Sequence, residues 1–195
     1  MVIGYDHHFG NERKGSLQHL TDYGIKYNFE VEQISAQKIG DTEVSSTKIR
    51  KAILAGDITT ANNYLGYEYF FKGCVVHGDQ IGTSIGYPTA NLEISEPYKL
   101  IPANGVYAVI VELDNLKYAG MMNIGMRPTV NGKKLAIEIN IFNFDKNIYS
   151  EFLNVYVIEK IRDEIKFSGL EKLKEQLFND KKTAEKILSD KNFIQ

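Results

Sequence analysis

Two periodicities divide the chain. From Tyr67 onward apolar residues recur at every second position, most plainly in Leu135, Ile137, Ile139 and Ile141, which alternate with Ala136, Glu138 and Asn140. Side chains of a strand point alternately to its two faces. Tyr69–His77, Thr89–Glu93, Val106–Leu113, Leu116–Ile124, Leu135–Asn143 and Asn154–Lys160 therefore read as strands. Asp114-Asn115 forms a tight hairpin turn between two of them. A meander of antiparallel strands with glycine-bearing loops predicts a small closed barrel, because closure removes the edges that an open sheet leaves unpaired.

Before Tyr67 the period is helical. Ser45 to Gly56 has hydroxyl residues for an N-cap, Ile49, Ile53 and Leu54 on one face, and glycine just past the end. Asp57 caps a second short helix that runs through Leu65. Further upstream, Met1–Gly4 is a short apolar piece, Ser16–Tyr23 reads as a helix closed by Gly24, and Tyr27, Phe29 and Val31 alternate as in a strand, which is α/β texture. After the strands, Leu170, Leu173 and Leu177 share a helical face and Ala184–Leu188 forms a second helical stretch. The fold class expected is mainly β, a six-stranded antiparallel barrel with C-terminal helices, preceded by an incomplete α/β fragment. The change of period places the division between residues 1–65 and 66–195.

Composition narrows the partners. The 195 residues carry a net charge of −2 with pI near 6.1, so there is no basic footprint for nucleic acid. Apolar runs such as Val106–Val111 are too short to cross a bilayer, and the N-terminus lacks the layout of a signal peptide. The single cysteine, Cys74, excludes an internal disulfide and fits a reducing compartment, so a cytoplasmic location is expected.

The chemistry concentrates in Gly78-Asp-Gln-Ile-Gly-Thr-Ser-Ile-Gly-Tyr-Pro-Thr-Ala-Asn-Leu-Glu93. Glycines at 78, 82 and 86 suggest positive φ or close approach to a ligand, and they also suit a long hairpin loop. Thr89 and Asn91, two apart on a strand, present two hard oxygens side by side. Such neutral donors either satisfy local backbone groups or hold Mg²⁺, which characteristically takes few protein ligands and completes its shell with substrate phosphates. Glu138 is a lone carboxylate on an isoleucine-rich strand, either solvated or chemically employed. His7-His8 is not read as a metal site, since adjacent residues of an extended segment point to opposite sides.

Taken in order, Gly73-Cys-Val-Val-His-Gly78, Gly86-Tyr-Pro-Thr-Ala-Asn-Leu92, Asn123-Ile-Gly-Met-Arg-Pro-Thr129, the Glu138 strand and Arg162-Asp-Glu-Ile-Lys-Phe167 resemble riboflavin kinases from about Leu65 to the C-terminus. Val2 to Gly10 and Val44-Ser-Ser-Thr-Lys-Ile-Arg50 resemble the second half of the adenylyltransferase domain of bacterial bifunctional riboflavin kinase/FAD synthetases. The kinase resemblance implies a barrel that phosphorylates riboflavin with ATP to give FMN and ADP. It implies that Gly78, Gly82 and Gly86 cover the nucleotide, that Thr89 and Asn91 engage Mg²⁺ and phosphate, that Asn140 lies on the nucleotide side, that Glu138 is the catalytic base, and that Arg162 and Phe167 meet the flavin.

The chain departs from that pattern at Thr83, where a basic residue is usual, and at Asn140, where histidine is frequent. Lys72, Lys99 and Arg127 are alternative sources of positive charge. No His-rich phosphate motif precedes Val2, and Ser46, Thr47, Lys48 and Arg50 supply only one side of an adenylyltransferase cleft. FAD synthesis is thus expected only if the missing half is supplied by upstream chain. A flavin- or nucleotide-binding barrel without turnover is the other alternative. The incomplete α/β fragment is expected to favour self-association, and the expected partners are small molecules, with neither nucleic acid nor membrane among them.

Overall fold

The computed structural model describes every residue except 5–7, 36–37, 40–41, 79–80, 130–131 and 194–195. The chain divides into two compact units, Met1–Ser45 and Ser46–Gln195.

In the first unit β1 (Val2–Gly4) pairs in parallel with β2 (Glu32–Ile34), and α1 (Leu17–Tyr27) makes the crossover. Ser16 and His19 bond across the first turn of α1, where the Ser16 N–H donates to His19 Nδ1 at 3.1 Å. The helix continues beyond Gly24 and ends at Asn28, whose left-handed φ of 58° breaks the repeat. Tyr27 is therefore helical, and the alternation of Tyr27, Phe29 and Val31 does not make a strand: the chain turns back as the Phe29 N–H donates to the Gly24 carbonyl at 3.0 Å, and pairing begins only at Glu32. A short ladder of β3 (Lys38–Ile39) and β4 (Thr42–Glu43) completes the unit.

The second unit opens with α2 (Ser46–Ala55) and α3 (Ile58–Leu65), the latter capped by Asp57, whose carboxylate accepts from the Thr60 N–H at 3.1 Å. Six strands follow: β5 (Phe70–Val76), β6 (Ala90–Glu93), β7 (Gly105–Leu113), β8 (Leu116–Thr129), β9 (Gly132–Ile141) and β10 (Phe152–Arg162). They close into an antiparallel barrel in the order β10-β5-β6-β9-β8-β7. All six correspond to expected strands, β8 running on past its expected end at Ile124 to Thr129. Asp114 and Asn115, with φ of 51° and 62°, make the turn that registers Leu113 opposite Leu116. A four-residue helix, α4 (Ile81–Ser84), lies in the glycine loop between β5 and β6.

The barrel interior is filled by one face of each strand: Val75, Leu92, Tyr107, Val109, Met122, Ile124, Ile137, Ile139, Leu153 and Val155 are buried in one cluster. Ile53, Ile58 and Ala61 belong to the same cluster, so α2 and α3 pack with the barrel although the period changes only at Tyr67. Asn62 fastens α3 down by donating to the Val157 carbonyl at 2.9 Å and accepting from the Tyr69 N–H at 2.8 Å. Leu54, expected on the buried face, is exposed.

The C-terminal helix α5 (Leu170–Asp190) is one continuous element where two stretches were expected. It covers the outer side of the barrel, where Ala184 and Leu188 are buried with Ala108, Ile110, Met121, Phe142 and Ile158. Two layers of apolar side chains thus sandwich the β7–β8 wall, one inside the barrel and one beneath α5.

Candidate active site

Strand alternation sends the polar residues outward. On β8 and β9, Met122, Ile124, Ile137 and Ile139 fill the interior, which leaves Met121, Asn123, Glu138 and Asn140 on the outer face. The register joins Asn91 to Glu138, Glu138 to Asn123, Asn123 to Val106, and Val106 to Arg162 in one row across β6, β9, β8, β7 and β10. Neighbouring strands lie about 4.8 Å apart, so Glu138 and Arg162, three strand intervals apart, are separated by about 14 Å measured along the sheet.

A cavity of about 470 Å³ lies over this row. Its floor includes Met121, Asn123, Glu138 and Asn140; Gly82, Ile85, Tyr87 and Thr89 of the glycine loop form one wall. The opposite wall is made by Arg162, Glu164, Ile165 and Phe167, with Leu173 and Leu177 of α5. Its size lies in the range of small-molecule sites, and the mixture of apolar walls with a few converging polar groups is typical of them.

Five polar side chains of the cavity, Arg127, Glu138, Asn140, Arg162 and Glu164, have side-chain or backbone partners. Glu138 pairs with Arg127, both side chains being partly exposed. Asn140 is buried and donates from Nδ2 to the Pro88 carbonyl at 2.7 Å, tying the floor to the entrance of β6. Glu164 Oε2 accepts from Asn104 Nδ2 at 3.2 Å. Arg162 donates from Nε and Nη2 to the carboxylate of Asp180 at 2.9 and 2.7 Å, and its guanidinium carbon lies 5.7 Å from the centre of the Phe167 ring. Next to it, a hydrogen bond from Lys160 at 2.5 Å, with the attraction of its ammonium charge, holds the Asp163 carboxyl below the usual carboxylate range.

Of the residues singled out from sequence, Gly82, Thr89, Glu138, Asn140, Arg162 and Phe167 line this one cavity. Thr89 also borders a second cavity of about 210 Å³, shared with Thr83, Lys146 and Tyr149; the Tyr149 ring stacks on His77 with centres 3.8 Å apart. Asn91 and Gly78 line a third, of about 490 Å³, which Arg127 also reaches. Gly86 lines none of the three and serves the turn, with φ of 85°. Of Lys72, Lys99 and Arg127, only Arg127 reaches the first cavity; Lys72 sits over the ring of Phe152, and Lys99 over those of Tyr69 and Phe70.

The bare backbone of the loop has a steric cause at two points. A Cβ on Gly78 would overlap the Asn91 amide, and one on Gly82 would overlap the Tyr87 carbonyl and stand 3.4 Å from Thr89 Oγ1. The loop thus passes directly over the two oxygen-bearing side chains. Among the described residues no group of three or more His, Cys, Asp or Glu is placed to hold a metal ion. His7 lies outside the described residues, as do Asp79 and Gln80 of the loop.

Asn123, Glu164, Tyr87 and Asp180 were not singled out from the sequence. Asn123 could have been found, since it alternates with Met122 and Ile124 on the outer face of β8. Asp180 carries a subtler signal: Leu173, Leu177, Asp180, Ala184 and Leu188 fall at helical spacing, so a carboxylate occupies an apolar stripe.

The riboflavin kinase family model matches residues 65–188, and the FAD synthetase model matches residues 1–48. The bifunctional riboflavin kinase/FMN adenylyltransferase of Buchnera aphidicola subsp. Schizaphis graminum is 40% identical over 194 residues, which cover 97% of this chain and 61% of that protein. Its counterpart in Bacillus subtilis is 38% identical over 194 residues, covering 97% of this chain and 60% of that protein. A crystal structure described as a macrolide-efflux protein from Streptococcus pneumoniae superposes with a TM-score of 0.85 at 37% identity, covering 94% of this chain and 60% of that one. The chain spans about three fifths of the length of the curated relatives it matches. Among the described residues no helix is long and apolar enough to cross a membrane.

Proposed function

Because the chain belongs to the riboflavin kinase family, we propose that the cleft on the outer face of its barrel transfers the terminal phosphoryl group of ATP to the 5′-hydroxyl of riboflavin, giving FMN and ADP. The observation that carries this reading is the placement of Glu138 and Arg162 in one register row beneath a single cavity, with Thr89 bordering both that cavity and its neighbour. The isoalloxazine lies against Arg162 and Phe167, the ribityl chain runs along the row past Asn123, and the 5′-hydroxyl reaches Glu138. The nucleotide approaches from the Thr83–Tyr149 side and meets the flavin at Thr89.

In the transfer step Glu138 accepts the hydroxyl proton while the ribityl oxygen forms its bond to the γ-phosphorus; the bond from that phosphorus to the β–γ bridging oxygen breaks, and ADP leaves. Positioning does most of the work, and the wall of loop, Tyr87 and α5 limits water at the reacting atoms. Arg127, already beside the carboxylate, supplies positive charge next to the transferred group. Asn140, locked to Pro88, fixes the floor against the loop that carries Thr89.

The donors that suit Mg²⁺ are the hydroxyl of Thr89 and the amide oxygen of Asn91, two neutral hard ligands that leave most of a coordination shell to phosphate and water. When bound, that ion would neutralise charge on the phosphates.

We also propose that residues 1–65 derive from an adenylyltransferase module and 66–195 form the kinase module, with α2 and α3 serving the barrel's packing. FAD synthesis is the second reading, favoured by the FAD synthetase match to residues 1–48 and by the parallel β1–α1–β2 unit. Self-association is proposed through the first unit, where Ile25 and Tyr27 are exposed. A cytoplasmic setting is proposed on the free thiol of Cys74.

Incubating the chain with riboflavin, ATP and Mg²⁺, followed by product separation, tests the proposal. FMN supports the kinase, and FAD supports the second reading. Riboflavin that stays bound and unchanged supports a passive binding barrel and overturns the kinase.

A further inference from the structure

Asp180 interrupts the apolar stripe of α5 and is nonetheless 1% exposed. Its carboxylate accepts from Arg162 Nε at 2.9 Å to Oδ1 and 3.1 Å to Oδ2, from Arg162 Nη2 at 2.7 Å, and from Gln176 Nε2 at 2.8 Å. Arg162 Nη1 donates in turn to the Asp163 carbonyl at 2.9 Å. The guanidinium is thus gripped along one edge and at its far end, so its plane is fixed beside the Phe167 ring. Asp180 itself does not line the cavity, whereas Arg162 does.

An ion pair is a poor way merely to fasten a helix to a sheet. The cost of desolvating the buried Asp180 carboxylate and the partly buried Arg162 guanidinium offsets much of their attraction, and apolar residues of similar volume usually hold such a contact as well or better. Ala184 and Leu188 already do so one and two turns further along the same stripe. What the pair adds is orientation, because a bidentate fork fixes the guanidinium in position and in rotation.

We propose that Asp180 is a positioning residue for the flavin: acting through Arg162, it sets the plane of the cleft wall against which the isoalloxazine lies. The inference rests on the kinase reading above and extends the site from the cavity into the interior of α5. It also assigns α5 a part in recognition, since that helix supplies both Asp180 and the apolar wall residues Leu173 and Leu177.

The test compares the parent chain with Asp180→Asn and Arg162→Lys. Riboflavin binding is followed by quenching of flavin fluorescence, FMN formation is measured at varied riboflavin and varied ATP, and thermal unfolding is recorded alongside. Asp180→Asn is expected to raise the riboflavin Kd and KM together by about tenfold or more, the scale of losing one well-aligned hydrogen bond to a charged group. The ATP KM should stay at its parental value, kcat should change less than KM, and the absorption band of bound flavin should shift. Arg162→Lys keeps a cation against Asp180 but loses the planar fork; it should raise the riboflavin Kd likewise with a smaller loss of unfolding temperature, and it carries the test should Asp180→Asn not fold. A parental riboflavin Kd in either folded variant overturns the proposal. So does a rise in both substrates' KM that merely follows a fall in unfolding temperature, which is what a simple latch predicts. A parent chain that does not bind riboflavin at all overturns the kinase reading on which the proposal stands.

Discussion

Replacing Glu138 by glutamine removes one negative charge and keeps the shape of the side chain, so it separates the role of this residue in chemistry from its role in packing. If the carboxylate takes the proton from the attacking hydroxyl, the amide cannot, and the rate of FMN formation should fall by about 10²-fold or more. That corresponds to about 2.7 kcal/mol on the barrier. The cost to folding should be much smaller. Glu138 and Arg127 are 23% and 34% exposed, so their ion pair stands in partly solvated surroundings where such pairs contribute roughly 0.2–1 kcal/mol. For a chain of this size a loss of 1 kcal/mol lowers the unfolding temperature by about 2–4 °C. Interior neighbours are undisturbed, because Glu138 projects from the face of β9 opposite Ile137 and Ile139. The assay is steady-state FMN production, with riboflavin binding and thermal unfolding measured on the same preparation. Near-normal turnover in the folded variant would remove Glu138 from its role. A fall in turnover matched by loss of fold or of flavin binding would refute the separation made here.

Asn91→Ala should raise the Mg²⁺ and ATP concentrations needed for half-maximal rate together, whereas weaker riboflavin binding with unchanged metal dependence would contradict its assignment. A fragment spanning Ser46–Gln195 should fold and keep kinase chemistry, while one starting at Tyr67 loses Ile53 and Ile58 from the barrel core, at about 1.5–3 kcal/mol for each large side chain; equal unfolding temperatures for the two would refute that packing. Burial pushes Tyr69 and Tyr107 up to about 12, so the folded chain holds their protons more tightly than the unfolded one and stability should decline as pH rises from about 10 through 12. Tyrosine absorbance during alkaline titration, set beside unfolding temperature, checks this, and titration of every tyrosine near 10 in the folded chain would contradict it.

The parts of the fold that were legible in the sequence are those governed by local periodicity. Alternation along Leu135–Ile141 placed Glu138 and Asn140 on one face and the isoleucines on the other, as the register of β9 with β8 and β6 bears out. The Asp114-Asn115 turn was legible because left-handed backbone suits those residues. What an amphipathic face packs against is not local information. The helices α2 and α3 showed their apolar side, but nothing in it said that Ile53 and Ile58 would join the barrel core. Glycine often marks a helix end, yet here Asn28 adopts the left-handed conformation and Gly24 stays within α1. Helix α5 runs unbroken through Asp180, and the partner that makes the burial of this carboxylate tolerable, Arg162, lies 18 residues away on a strand. In the candidate site, the motif residues converge on one cavity apart from Gly78, Gly86 and Asn91. Two side chains that brace the cavity wall, Asp180 of α5 and Asn104 of the loop before β7, become visible only in the folded chain, whereas Arg127 was legible as a nearby cation and only its pairing with Glu138 was not.

In the proposed complex flavin lies along the outer face of the barrel, with its 5′-hydroxyl at Glu138 and its ring at Arg162. A crystal structure with riboflavin, Mg²⁺ and a non-hydrolysable ATP analogue tests it most directly. The account predicts the 5′-oxygen within about 3 Å of a Glu138 carboxylate oxygen, the isoalloxazine against Phe167 and Arg162, and the terminal phosphate beside Thr89. A flavin ring seated instead in the Thr83–Tyr149 cavity, or a 5′-hydroxyl directed away from Glu138, would contradict it.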